Sequence, residues 1–132
     1  MPSSSLAKGY MATVGVVLVA VGLLGFMGNP VVGDAANSPL FITGTNHNAV
    51  HILTGLLAIY VAFGLSGATR TVGAIGFGLL YLVIFAALLV SPDLFGLLYP
   101  VSVADHFLHA GLGVVSVGVG VLARGTASTM AA

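Results

Sequence analysis

TVGAIGFGLLYLVIFAALLV, residues 71–90, contains no charged side chain and no polar stripe at helical spacing. A helix rises about 1.5 Å per residue, so a run of this length crosses the ~30 Å of bilayer hydrocarbon. Three further runs reach that length: Tyr10–Gly28, Ala49–Ser66 and Val103–Ala123. A soluble four-helix bundle needs a polar stripe on every helix, and the first and third runs have none. The fold class is therefore all-α, a polytopic membrane protein with four transmembrane helices at about 10–28, 46–66, 71–90 and 102–123. The first run is longer than the apolar region of a signal peptide and no A-x-A site follows it, so it is expected to stay in the membrane.

Composition agrees with this reading. The chain of 132 residues is 58% hydrophobic and 5% charged, against roughly 25% charged residues in soluble domains. Three basic and three acidic residues sum to zero, which provides no basic face for nucleic acid. Without cysteine, disulfides, thiol catalysis, Cys-ligated zinc and iron–sulfur clusters are excluded. The lipid bilayer is the expected partner, with a second copy or a larger membrane complex left open.

Charge placement predicts the topology. Lys8, Arg70 and Arg124 fall at the N-terminus, the second-to-third connection and the C-terminus, all on one side of a four-helix path. Asp34 and Asp93 fall on the other. The tendency of basic residues to stay inside then puts both termini in the cytoplasm of a plasma-membrane protein. Gly67-Ala68-Thr69-Arg70 is read as a short turn joining helices two and three into an antiparallel hairpin. The first outer connection is rich in breakers, among them Asn29-Pro30, Gly33-Asp34 and Ser38-Pro39. In the second, Leu94–Pro100 is apolar with one Tyr and is expected to lie along the interface. The head, Met1–Ser5, and the tail, Gly125–Ala132, are small and polar and expected to be poorly ordered.

Shifting the sequence by 58 residues superposes Thr13-Val14-Gly15 on Thr71-Val72-Gly73, His51 on His109, and Gly55 on Gly113. This predicts an internal repeat of a helix pair, with units at about 10–66 and 68–124, related by a pseudo-two-fold axis along the membrane normal. At about 100° per residue, His47, His51, Thr54, Gly55, Ala58 and Ala62 share one face of helix two, with Asn48 on its flank. Asp105, His109, Gly113, Ser116 and Gly120 share the corresponding face of helix four, with His106 on its flank. Small residues let backbones approach in lipid, so helices two and four are expected to pack on Gly55, Ala58, Ala62, Gly113, Ser116 and Gly120, bringing His51 near His109.

Two readings of the polar cluster His47, Asn48, His51, Asp105, His106 and His109 stand side by side. In the structural one, these side chains cap helix starts and satisfy one another, with Thr45 and Ser102 as N-caps and Ser102/Asp105 in capping-box spacing. The protein is then a non-enzymatic structural or accessory component without a cofactor. In the other, His47/His51 and His106/His109 point pairs of imidazoles the same way and hold a metal ion or haem, with His51 and His109 as metal ligands and Asp105 as a supporting acceptor or further ligand. The small-residue stripe leaves little room for a porphyrin. No G-x-S-x-G, Gly-Lys-Ser/Thr loop or H-E-x-x-H is present, and no nucleophile is apparent.

The stretches Asn46–Gly55 and Pro100–Gly113 resemble the two signatures of a four-helix bacterial membrane-protein family, domain of unknown function 4383. The first resembles H-N-x-x-H-x-x-x-G, here His47, Asn48, His51 and Gly55. The second resembles A-D-N-x-x-H-x-x-L-G, here Ala104, Asp105, His109, Leu112 and Gly113, with His106 where asparagine is expected. The resemblance implies a site built from His47, Asn48, His51, Asp105 and His109, and no particular activity.

Overall fold

Continuous apolar sequence, interrupted by Gly-Asn-Pro and Ser-Pro-Asp breaks, produces four long helices: α1 (Pro2–Leu24), α2 (Thr45–Gly64), α3 (Gly67–Val90) and α4 (Val103–Ala131). The structure is a computed structural model. It describes the backbone of residues 2–37, 39–98 and 101–131, and side chains within 5–36, 39–98 and 101–124. Apart from Ser5, the head and tail expected to be poorly ordered lie outside the described side chains, as do Tyr99 and Pro100. Each helix is long and apolar enough to cross a membrane. Leu53, Phe63 and Val83 are each more than 60% exposed, which suits side chains facing lipid rather than water.

Helix ends follow local chemistry. α1 stops earlier than expected where Asn29 folds back on its end: Nδ2 donates to Leu24 O (2.8 Å), which also accepts from Met27 N (2.9 Å), and to Met27 O (2.7 Å), while Oδ1 accepts from Val31 N and Val32 N (2.9 Å each). The turned chain then forms a two-residue parallel ladder, β1 (Val32–Gly33) with β2 (Phe41–Ile42), around a 3-10 turn at Ala35–Asn37. This ribbon was not legible in the breaker pattern. Gly67–Arg70, expected as a turn, is instead the first turn of α3, capped by Ser66 in a reciprocal box with Thr69. Only Leu65 and Ser66 connect α2 to α3, and those two helices touch lightly. Thr45 is not an N-cap either; Gly44 holds that place without a side-chain bond.

The second long connection is built on Ser91, whose hydroxyl donates to Asp93 Oδ1 (3.0 Å) and accepts from Phe95 N (2.9 Å). Leu94, Phe95 and Gly96 then take φ of 54°, 58° and 88° in succession. Only the last is comfortable there; the two side-chain-bearing residues are strained by roughly 1–2 kcal/mol each. Leu98 N→Asp93 O (2.8 Å) and Asn46 Nδ2→Leu97 O (2.8 Å) hold the turn against the start of α2.

Packing corrects the expected arrangement of helices. α1 lies along α2 and α3 along α4, whereas α2 and α4 do not run along each other. A methyl group added at Gly55 would lie 2.8 Å from the Gly15 carbonyl oxygen, and one at Gly78 would lie 2.7 Å from that of Gly113. Gly120 likewise faces Thr71 and Ile75 of α3. The small residues thus close α1 on α2 and α3 on α4. Ala58 and Ala62 enter a core with Met11, Leu18, Phe77 and Tyr81, and Ser116 hydrogen-bonds the Tyr10 hydroxyl of α1 at 2.7 Å. Side chains of α1 and α3 therefore fill the middle, where α2 and α4 were expected to meet.

Candidate functional site

Both α2 and α4 begin at the end of the bundle that carries the two long connections, and their first turns hold the polar residues. His47 and His51 are one turn apart on α2, so their rings share one face, with centroids 4.4 Å apart and planes tilted by 54°. His109 of α4 comes to the same point, its ring 5.8 Å from that of His47. One nitrogen from each of His47, His51 and His109 lies within 4.8 Å of the other two. All three side chains are 98–99% buried.

Both ring nitrogens of His47, both of His51 and Nδ1 of His109 are buried without a well-formed hydrogen bond, the Ile42 backbone lying near enough to act on His47. Among the described residues no hydrogen bond joins any two of the six side chains read as one network. That matters because a buried polar atom left unpaired costs about 1–3 kcal/mol. The hydrogen-bonded cluster expected on the structural reading is not what the geometry contains.

The other three residues go elsewhere. Asn48 turns to α1, where its carboxamide fills the space beside Gly25. His106, three residues before His109, points to α3 and meets Phe85 edge-on at 6.4 Å between centroids; a helix wheel puts it about 60° off the His109 direction. Asp105 is fully buried and caps its own helix, with Oδ2 accepting from the Ser102 hydroxyl (2.9 Å) and backbone N–H (3.3 Å). Its Oδ1 has no partner. The Ser102 hydroxyl also lies 3.1 Å from Leu40 O, linking this cap to the ribbon over the site.

Sequence reasoning missed Tyr81. It is buried on α3 with its ring 5.9 Å from that of His109, and its hydroxyl pairs with Thr54 Oγ1 at 2.7 Å. The available signal was a single phenol in the apolar run that follows Thr71.

Two cavities each have one of these histidines in their lining. One, of about 280 Å³, is bounded by Gly44–His47 and Gly96–Leu98 and opens beside His47 at the connection end. The other, of about 320 Å³, lies among α1, the ribbon residues Val31, Val32 and Phe41, and α4, with His51 in its almost wholly apolar lining.

Four membrane-spanning helices with three converging, buried imidazoles define the class: an integral membrane protein with a candidate histidine site near one face. The chain belongs to the family described as Domain of unknown function (DUF4383), which matches residues 9–122. No curated protein and no solved structure matches the chain.

Proposed function

We propose that this membrane protein binds one divalent transition-metal ion, zinc or copper, through His47, His51 and His109. The observation that carries the reading is the convergence of three buried imidazoles, five of whose six ring nitrogens have no geometrically formed hydrogen bond. Ligand atoms within 4.8 Å of one another lie at most about 2.8 Å from their common centre, so reaching the ~2.0–2.1 Å of a metal–imidazole bond takes an inward shift under ~1 Å per ring. Three neutral nitrogen donors suit zinc or copper better than magnesium or calcium. Asp105, one turn before His109, is engaged in its own helix cap through Oδ2 and is not among the converging ligand atoms.

Three protein ligands leave a fourth position for water or an exchanging group, as in sites that bind and release rather than sealed structural ones. The cavity beside His47 gives that position access from the connection end. Haem fits less well: with His51 and His109 as axial ligands, His47 would occupy the plane of the porphyrin. Titration of chelator-stripped protein in detergent with Zn²⁺ or Cu²⁺ is expected to give one ion per chain. Failure to bind either ion above the level of a variant lacking all three histidines would remove the reading.

The same proposal places the protein in the plasma membrane with both termini cytoplasmic and the site toward the exterior. Its support is the position of Lys8, Arg70 and Arg124 at one end of the bundle and of Asp34 and Asp93 at the other. Single cysteines introduced as Asp34→Cys or Asp93→Cys are expected to react with an impermeant maleimide on intact cells, and Arg70→Cys only after permeabilisation. Labelling of Arg70→Cys on intact cells would reverse the orientation and turn the site inward.

A further inference from the structure

We infer that the turn formed by residues 93–98 is a gate on the route by which a metal ion reaches the three histidines, latched shut by Asn46 of α2. The inference rests on the metal reading above and deepens it by naming the segment that must move. Motion is required because His47, His51 and His109 are 98–99% buried, with both ring nitrogens of His47 and of His51 sealed from the surface. A hydrated cation also needs a polar path, since shedding its water against hydrocarbon is prohibitive. The cavity that has His51 in its lining is almost wholly apolar and offers none. The one at the connection end does offer it: Gly44, Asn46 and His47 form one side and Gly96, Leu97 and Leu98 the other.

Two segments close this end of the bundle, and they are held very differently. The ribbon is tied down on both edges. Leu40 N, Phe41 N and Thr43 N donate to the carbonyls of Pro30, Val31 and Gly33, and the Ser102 hydroxyl holds Leu40 O. The turn bonds mainly to itself, through Leu97 N→Leu94 O (3.2 Å) and Leu98 N→Asp93 O (2.8 Å), and to Ser91 through Phe95 N (2.9 Å). Among the described residues a single hydrogen bond, Asn46 Nδ2→Leu97 O at 2.8 Å, ties it to α2. Leu94 and Phe95 sit at φ of 54° and 58°, where a side chain crowds its own backbone, so swinging outward relieves a strain that the closed form carries. Leu98, only 8% exposed, lines the cavity together with His47 and is the side chain that opening withdraws.

A gate sets how fast an ion enters and leaves and does not alter affinity, whereas a ligand or its support alters affinity. Stopped-flow zinc binding to the full chain in detergent, and release into excess chelator, measure the two rates. Asn46 is exposed, so Asn46→Ala should fold; it removes one hydrogen bond from the closed form. Entry and release are both expected to quicken by about three- to tenfold, the worth of an ordinary hydrogen bond, with the dissociation constant within about twofold. Leu94→Gly relaxes the closed turn and should slow both rates by about threefold or more. Gly120→Leu, which loosens α4 on α3 at the opposite end of the bundle, should change neither. A second readout needs no metal. With chelator present, modification of His47 by diethyl pyrocarbonate, followed by mass spectrometry, should quicken in Asn46→Ala and slow in Leu94→Gly by the same factors. Should the parent bind no zinc, this readout still decides the gate, so its failure and that of the metal reading are distinguishable. Rates that ignore both Asn46 and Leu94 would overturn the gate. So would an Asn46→Ala effect on one zinc rate alone, which would place Asn46 in support of a ligand, or an equal quickening in Gly120→Leu, which would mean entry through general loosening of the helices.

Discussion

His51→Leu is expected to leave the metal-free protein at least as stable as the parent and to eliminate the stabilisation that zinc confers. Two buried nitrogens without partners cost folding free energy, about 1–3 kcal/mol for each unpaired group. A leucine of similar bulk removes both and keeps the volume. A metal that binds only the folded state, present at 100 times its dissociation constant, adds about 2.7 kcal/mol; a three-coordinate site that loses one ligand loses most of that. The same loss of the zinc response is expected for His47→Leu and His109→Leu. His106→Leu should keep the zinc response, because that ring faces Phe85 instead. Thermal unfolding of each variant with chelator and with excess zinc provides the comparison. If the three imidazoles served structure through bound water alone, each substitution would lower the chelated midpoint and zinc would move none of them.

Much of this architecture is visible in sequence because lipid imposes a simple rule. A segment without charge and long enough to cross must be a helix with its backbone satisfied internally, and runs such as residues 71–90 admit no other reading. Helix ends were harder. Asn29 as a cap for α1 and Thr69 as the closing residue of the α3 box depend on side-chain bonds that breaker residues do not announce. The β1–β2 ribbon is set by backbone pairing across a loop, which carries no periodic signal at a length of two residues.

At the site, the i, i+4 pair His47/His51 and the facing His109 could be found because one turn of helix fixes a common direction. Asn48 and His106 were drawn into the same cluster because flank positions on a wheel have two neighbours, and sequence does not say which helix is on which side. Here α1 claims Asn48 through Gly25, and α3 claims His106 through Phe85. Tyr81 belongs to the neighbourhood through its contact with His109, a long-range relation that no local pattern encodes. We retain the internal repeat as a proposal with a corrected register. Gly15 against Gly55 and Ile59 corresponds to Gly78 against Gly113 and Val117, an offset of 63 on the first helix of each unit and 58 on the second. Gly73, which the ungapped 58-residue shift sets against Gly15, faces Val61 of α2 and Leu65 of the connection instead.

The glycine contacts carry the second large effect. Gly55→Leu and Gly78→Leu are each expected to destabilise the fold by about 1–3 kcal/mol or more, since two of the three nearest atoms in the way at each are backbone and cannot swing aside. Gly76→Leu, on the same helix as Gly78 but with nothing within 4 Å of an added Cβ, should be tolerated. Coupling between sites then tells which helices meet. Gly15→Ala and Gly55→Ala intrude on one gap, so the first to part α1 from α2 relieves the second, and the double variant should lose less than the sum. Gly55→Ala and Gly113→Ala act on separate gaps, between α1 and α2 and between α3 and α4, and their costs should add within about 0.5 kcal/mol. Unfolding in mixed SDS micelles measures all of these on one scale. Strong coupling between Gly55 and Gly113, with none between Gly15 and Gly55, would instead require α2 and α4 to pack face to face, and the histidines would then have to meet along the helices rather than at their ends.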